Sequence, residues 1–203
     1  MELIEVLRSR RSIRKFKPDP VPDELLTEIL EAARLAPSGT NLQPWRFVLI
    51  KSAPKRRALL GHTVSFVASA PVVVACLADL TTYQTHKPKR IKELTAAGAF
   101  TGIDLDFADS RKYWRERAHL DAAGIREYVS VNCATSIEHL VLRAADLGLG
   151  TCWVMMFDHD AVHKILEISD NLFVLALIPI GYSAQDPESR PRLPLSDILI
   201  KEI

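Results

Sequence analysis

Arg10-Arg11-Ser12-Ile13-Arg14 places three guanidinium groups and a hydroxyl within five residues, where the amphipathic helical pattern of Met1 to Arg8 gives way to an extended run. Guanidinium groups grip phosphate through paired hydrogen bonds and a hydroxyl adds another donor, so this stretch can hold a phosphate. The same arginines also suit the carbonyl end of the first helix, whose partial negative charge they would complement. Spacing alone leaves both readings open.

Downstream, Lys17-Pro18-Asp19-Pro20-Val21-Pro22 forbids helix and forces an extended connector. A helix is expected next, with Asp23 as its cap or in its acidic first turn and Leu25, Leu26, Ile29, Leu30 and Ala33 at helical spacing up to about Leu35. Ala36 to Pro44 reads as a loop rich in Ser, Gly, Asn and Pro. Within it Ser38, Asn41 and Gln43 offer hydroxyl and amide partners and Gly39 permits close backbone approach, which suits a flat polar heterocycle. An ordinary helix-to-strand loop with Trp45 buried behind it fits the same residues.

Arg46–Lys51, Ala70–Leu77 and Phe173–Gly181 read as strands, and Lys55–Leu60 as a short helix. A long helix is expected over Val129–Leu147, with Gly148 placed to end it, and another over His159–Glu167 with Asp158 as its cap. Leu149–Met156 is a strand or extended turn. Helices and strands thus alternate as in an α+β or α/β domain built on a sheet of four or five strands.

Lys and Arg number 26 against 25 Asp and Glu, with 48% hydrophobic residues, so the composition is that of a globular protein and not of a general nucleic-acid binder. The apolar runs around Pro71 and Pro179 are too short to cross a bilayer. The first residues lack the order of a secretory signal. Cys76, Cys133 and Cys152 lie far apart in apolar segments, as packed thiols of a reducing cytoplasm would. His159 and His163 lie four apart without a third metal ligand, and Asp104, Asp106 and Asp109 lack the glycine and glutamate of a calcium loop, so no metal is expected. Gly148-Leu149-Gly150 follows a helix and lacks a third glycine, so it is no dinucleotide fingerprint.

Taken in order, Arg10 to Phe16, the proline connector, Ala36-Pro37-Ser38-Gly39-Thr40-Asn41-Leu42-Gln43-Pro44-Trp45, Leu147-Gly148-Leu149-Gly150-Thr151-Cys152-Trp153, Leu177 to Tyr182 and Arg190-Pro191-Arg192 resemble the nitroreductase family of flavoproteins. The resemblance covers about 1–78 and 129–203. It implies a single α+β domain of three layers, with a mostly antiparallel central sheet flanked by helices, a variable lid over about 79–128, and a C-terminal tail exchanged with a partner subunit.

It further implies a homodimer with FMN at the interface. Arg10, Ser12 and Arg14 would hold the phosphate and ribityl chain, Arg190 and Arg192 would close that site, and Arg11 would act through its backbone. Ser38, Gly39, Asn41 and Gln43 would approach from the other subunit, and Gly150, Thr151, Cys152 and Trp153 would pass along the ring. NADH or NADPH would give hydride to the flavin and be replaced by a nitroaromatic, a quinone or another electron-poor acceptor, with no protein nucleophile. Reductive dehalogenation, flavin fragmentation, or FMN binding without turnover are the alternatives on this fold. Family members often carry a glycine shortly after the tryptophan, where this chain has Val154-Met155-Met156. In the lid, Tyr113 and Trp114 could stack on a planar acceptor while Lys112, Arg115 and Arg117 attract an anionic acceptor or a nicotinamide phosphate, and a solvated helix with its aromatic residues anchored in the core fits the same residues.

Overall fold

A computed structural model of the chain describes residues 1–103 and 120–203. Its elements run α1 (Leu3–Ser9), α2 (Asp23–Arg34), a 3-10 turn at Gly39–Asn41, β1 (Trp45–Ile50), α3 (Ala53–Ala58), α4 (Phe66–Ser69) and β2 (Val72–Asp79). Then follow α5 (Thr82–Thr85), α6 (Lys87–Ala96), α7 (Ala122–Asp146), β3 (Gly150–Thr151), α8 (His159–Leu166), β4 (Leu172–Gly181) and α9 (Leu195–Ile198).

The sheet has the order β1-β2-β4-β3 and every pairing in it is antiparallel. All eight residues of β2 are buried, which explains its unbroken apolar run Val72 to Ala78. Alternate side chains serve opposite faces. Val72, Val74, Cys76 and Ala78 pack with α2 and α7, whereas Val73, Ala75 and Leu77 pack with Leu59, Val67 and Val162 on the other side. The result is an α+β domain of three layers.

Helix α7 organises the larger core through Val129, Cys133, Ile137, Leu140, Val141 and Ala144, all buried. It begins seven residues earlier than periodicity indicates, because Asp121 caps it: its Oδ1 accepts the Gly124 N–H at 2.8 Å. Residues 122–128, expected within the variable stretch of about 79–128, belong to the central helix. Gly148 ends α7 at φ +76°, with Gly148 N–H donating to Ala145 O and Leu149 N–H to Ala144 O, the paired bonds that a left-handed glycine permits. Asp158 caps α8 as expected, accepting the Ala161 N–H at 3.0 Å. Asp23 lies inside the first turn of α2 and the cap position falls to Pro22. The segment Leu149–Met156 is strand only at Gly150–Thr151, with one further bridge from Val154 to Leu177.

Between β2 and α7 the structure adds α5 and α6, which the sequence does not announce. Tyr113, Trp114, Lys112, Arg115 and Arg117, together with Asp104, Asp106 and Asp109, lie outside the described residues. Among the described residues no helix is long and apolar enough to cross a membrane. All three cysteines are buried and free. Burial pushes the Cys133 thiol up to about 12 and raises that of Cys76 as well.

Asp79 ties the ends of three strands together. Its carboxylate accepts from Thr81 N–H and Oγ1 and from Asn171 Nδ2, and it pairs with Arg46 Nη2 at 3.0 Å. Burial would raise this carboxyl, but the hydrogen bonds from Thr81 and Asn171 and the Arg46 charge outweigh it and hold the group below its ordinary value. A carboxyl depressed by folding stabilises the fold fully above its unfolded value of about 3.9, and the contribution vanishes as pH falls through the folded value. Asp79→Asn is expected to cost about 1–3 kcal/mol at pH 7, and the gap from the native chain should close below about pH 4. Urea unfolding followed by circular dichroism across pH 3–7 checks both statements.

Candidate functional site

The arginine run is placed by backbone pairing. After α1, Ile13 N–H donates to Thr151 O at 2.8 Å and Ser12 bridges Thr151 in parallel, so the run lies along the exposed edge of β3. Further on, Lys17 N–H donates to Tyr182 O and Ala184 N–H to Lys15 O. The same segment thus binds β3 and also receives the chain leaving β4.

Gly150 makes this approach possible, since a Cβ there would sit 2.6 Å from Ile13 Cγ1. Gly150, Thr151 and Cys152 are all buried. Their visible work is to seat the arginine run. Burial pushes the Cys152 thiol above its usual range against the opposing pull of Arg14, Ser12 and Arg10. Trp153 is half-buried and its indole N–H donates to Glu138 Oε2 at 3.1 Å.

Returning past Ser183, the tail brings Arg190 and Arg192 across from Arg10 and Arg14. Leu7, Arg8, Arg10, Arg11, Ser12, Arg14, Arg190 and Arg192 line one cleft of about 440 Å³, which Pro187, Glu188 and Ser189 complete. Among the described residues none of these arginines forms an ion pair with a carboxylate. Arg11 does serve the helix end, donating to Arg8 O at 2.6 Å and Arg10 O at 3.0 Å. Arg11 thus covers carbonyls at the end of α1 while also lining the cleft with Arg10 and Arg14.

The Ser38–Gln43 loop is anchored elsewhere, on the N-terminal half of α7. Asn132 Oδ1 accepts the Gly39 N–H at 2.6 Å, Thr135 Oγ1 donates to Pro37 O, and Ser136 Oγ donates to Ala33 O. Ser38 Oγ accepts the Gln43 N–H, and Gln43 Nε2 donates to Asn41 Oδ1 at 2.8 Å. Thr40, Asn41 and Gln43 all have φ near +50°. Non-glycine residues reach that region at a cost, and clusters of them mark binding sites.

The two groups are well separated within one chain. Beside the arginines lies the end of α7, around Ala145 and Gly148, whereas the loop sits at Asn132. Thirteen residues of helix at about 1.5 Å each separate these anchors by roughly 20 Å. Sequence reasoning missed Asn132 and Tyr128; the signal for the former was a polar residue on the buried stripe of α7, between Val129 and Cys133. The two helical histidines point to separate tasks: His159 stacks on Phe173 at 5.2 Å and His163 Nε2 lies 3.2 Å from Ser169 O.

A layered antiparallel sheet with an arginine-lined edge and a helix-anchored amide loop defines the class to which comparison also leads. The sequence model of the nitroreductase family matches residues 7–182, and the chain belongs to that family of oxidoreductases. It is 33% identical over 195 residues to a protein of Thermus thermophilus named NADH dehydrogenase, covering 94% of this chain and 91% of that one. It is 30% identical over 203 residues to a Streptococcus pyogenes protein provisionally named an NAD(P)H nitroreductase, covering 98% of each. In fold it matches a nitroreductase from Exiguobacterium sibiricum solved in complex with FMN, with a TM-score of 0.78 at 21% identity, covering 100% of this chain and 98% of that one.

Gly39 gives a direct test of the loop's seating. A Cβ at this position would overlap the Tyr128 hydroxyl, while the ring carbon Cζ behind it would be 3.2 Å away. Gly39→Ala should destabilise the fold by about 1–3 kcal/mol, and adding Tyr128→Phe should restore most of the loss. Thermal melts of the two variants decide it. No rescue would mean that the tyrosine is not what confines the loop.

Proposed function

We propose that the chain is a homodimeric, FMN-dependent oxidoreductase that takes electrons from NADH or NADPH and passes them to a small electron-poor acceptor, such as a nitroaromatic or a quinone. One observation carries this reading. Arg10, Arg14, Arg190 and Arg192 line one cleft, none of them paired to a carboxylate among the described residues, and such a set of guanidinium donors suits a bound phosphate. The cleft volume falls within the range of about 300–1,000 Å³ usual for small-molecule sites. The donors fit the phosphate of FMN, with Ser12 near the ribityl hydroxyls and Arg11 contributing backbone. Support comes also from the FMN held by the Exiguobacterium protein and the NAD(P)H in the name of the Streptococcus pyogenes relative.

Bound FMN supplies the hydride and electron chemistry, so the protein's task is binding, orientation and electrostatics. Gly150, Thr151, Cys152 and Trp153 would run along the ring. The 20 Å between the arginines and the amide loop favours a site closed by two chains, with Ser38, Gly39, Asn41 and Gln43 of the partner subunit meeting the cofactor. Exposed apolar side chains support that assembly: Leu3, Ile4 and Leu7 on α1, and Leu195 (73% exposed), Leu199 and Ile200 (91%) in the tail. The tail would cross onto the partner. Buried free thiols suit a reducing compartment such as the cytoplasm.

Met155 and Met156, 60% and 74% exposed beside Trp153, favour a second reading in which the chain holds FMN without turnover because they crowd the ring. Anaerobic addition of NADH or NADPH separates the two: bleaching of bound flavin supports the enzyme, and a flavin that neither donor bleaches supports the binder. For the phosphate assignment, Arg14→Ala should lose about 1.5–3 kcal/mol of FMN affinity, roughly 10- to 150-fold in Kd. Titration by flavin fluorescence measures it, and an unchanged Kd would remove Arg14 from the site.

A further inference from the structure

One strongly charged element remains unused by the arginine cleft. Helix α6 carries Lys87, Lys89, Arg90 and Lys92 against the single acid Glu93. It packs on the 3-10 turn of the Ser38–Gln43 loop. Lys87 fixes that position: its Nζ donates to the Tyr83 hydroxyl at 3.0 Å and lies 4.3 Å over the ring, and Tyr83 meets Tyr128 edge-on at 5.2 Å beneath Gly39. Arg90 is committed to Glu93 at 2.8 Å, and Lys89 lies 3.8 Å from the same carboxylate. Lys92 makes no ion pair with any described residue. Lys89 and Lys92, three apart, stand exposed on the outward face, while Lys87, Arg90 and Leu94 turn toward the body.

The FMN phosphate is already provided for by the arginine cleft, roughly 20 Å away along α7. On α6 the exposed Lys92, together with Lys89 at the long distance of 3.8 Å from Glu93, is thus available to a different anion. In the proposed dimer the amide loop would meet the flavin bound by the partner subunit, and α6, packed on that loop, would stand beside that flavin where an electron donor approaches it. Both nicotinamide donors carry a pyrophosphate. NADPH adds a 2′-phosphomonoester with about 1.5 to 2 further negative charges.

We infer that Lys89 and Lys92 on α6 form the docking strip for the adenosine-phosphate end of the nicotinamide donor and make NADPH the preferred one. The inference rests on the donor reading given under Proposed function. Exposed ammonium groups act chiefly by long-range attraction, so the preference is a property of encounter and must weaken with salt.

The test uses the FMN-loaded full chain. With NADPH and NADH as alternative donors, kcat/KM should favour NADPH by about tenfold at low ionic strength, and the ratio should narrow in 0.5 M KCl. Lys89→Glu with Lys92→Glu should cut the ratio at least about fivefold while FMN content per chain is retained; Lys92→Gln is the milder variant should the double one lose flavin, and it should cut the ratio about twofold. Adenosine 2′,5′-bisphosphate should inhibit the native chain more strongly than the variants. A native chain that uses NADH as well or better, or a ratio unmoved in a flavin-loaded variant, overturns the assignment of α6 and leaves the proposed function standing. Failure of both nucleotides to bleach the flavin overturns the proposed function and this inference together.

Discussion

The structure depends on one close approach of backbone to backbone: Ile13 and Ser12 lying along Thr151, over a glycine that has no side chain to hold them off. Any larger residue at 150 would strike Ile13. The Ile13–Thr151 hydrogen bond fixes the register of the arginine run against the sheet edge, which decides which side chains face inward and which face the cleft. Ile13 becomes buried, and Arg14 beside it becomes exposed. The edge strand β3 is only two residues long, and the added segment covers backbone groups that a bare edge would leave open. Through Lys15 and Lys17 the same segment guides the tail back past Ser183, so the fold that seats Arg14 also delivers Arg190 and Arg192.

Such a gathering of guanidinium groups is unfavourable by itself. The chain relieves part of it by turning Arg11 onto the carbonyls of α1, and leaves the rest facing solvent in the cleft. Single chains also leave α1 half covered, with Val6 buried and Leu3, Ile4 and Leu7 exposed. A second copy would cover those apolar groups, and a bound phosphate would neutralise the cleft. The proposed assembly and the proposed cofactor therefore answer two separate deficits that one chain alone shows.

Much of the fold was legible because burial on both faces writes a plain pattern. Val72 to Ala78 and Val174 to Ile180 had no reading but buried strands, and the α2 and α7 stripes had the helical period. Capping signals at Gly148 and Asp158 were equally local. The Asp121 cap lies beyond the apolar stripe that begins at Val129, and Gly124 in the first turn weakens the helical signal there. The short α5 and the polar α6 were missed because α5 spans only four residues and α6 holds position by packing on the 3-10 turn, a contact that no short window contains. In the site, the spacing of Arg10, Ser12 and Arg14 showed competence for phosphate but not commitment to it. Their junction with Arg190 and Arg192, nearly 180 positions later, was legible only through family resemblance. The seat that Gly150 and Thr151 make for Ile13 was not legible, because it joins segments nearly 140 residues apart.

The amide loop carries the opposite kind of constraint, strain instead of fit. Left-handed backbone costs a non-glycine residue roughly 1–2 kcal/mol, less for Asn, and here Thr40, Asn41 and Gln43 adopt it within four positions. Within the loop, Ser38 Oγ accepts the Gln43 N–H and Gln43 Nε2 donates to Asn41 Oδ1, which offsets part of that cost. What holds it is α7: Asn132 captures the Gly39 N–H, Thr135 and Ser136 satisfy the carbonyls of Pro37 and Ala33, and Tyr128 closes the space over Gly39. Folding thus completes the ordering of the loop before any ligand arrives, and a partner that meets Asn41 and Gln43 need not supply it again. The strain is tolerated by a core helix whose apolar face is secured independently by Cys133, Ile137 and Leu140, so a rigid core makes a strained rim affordable.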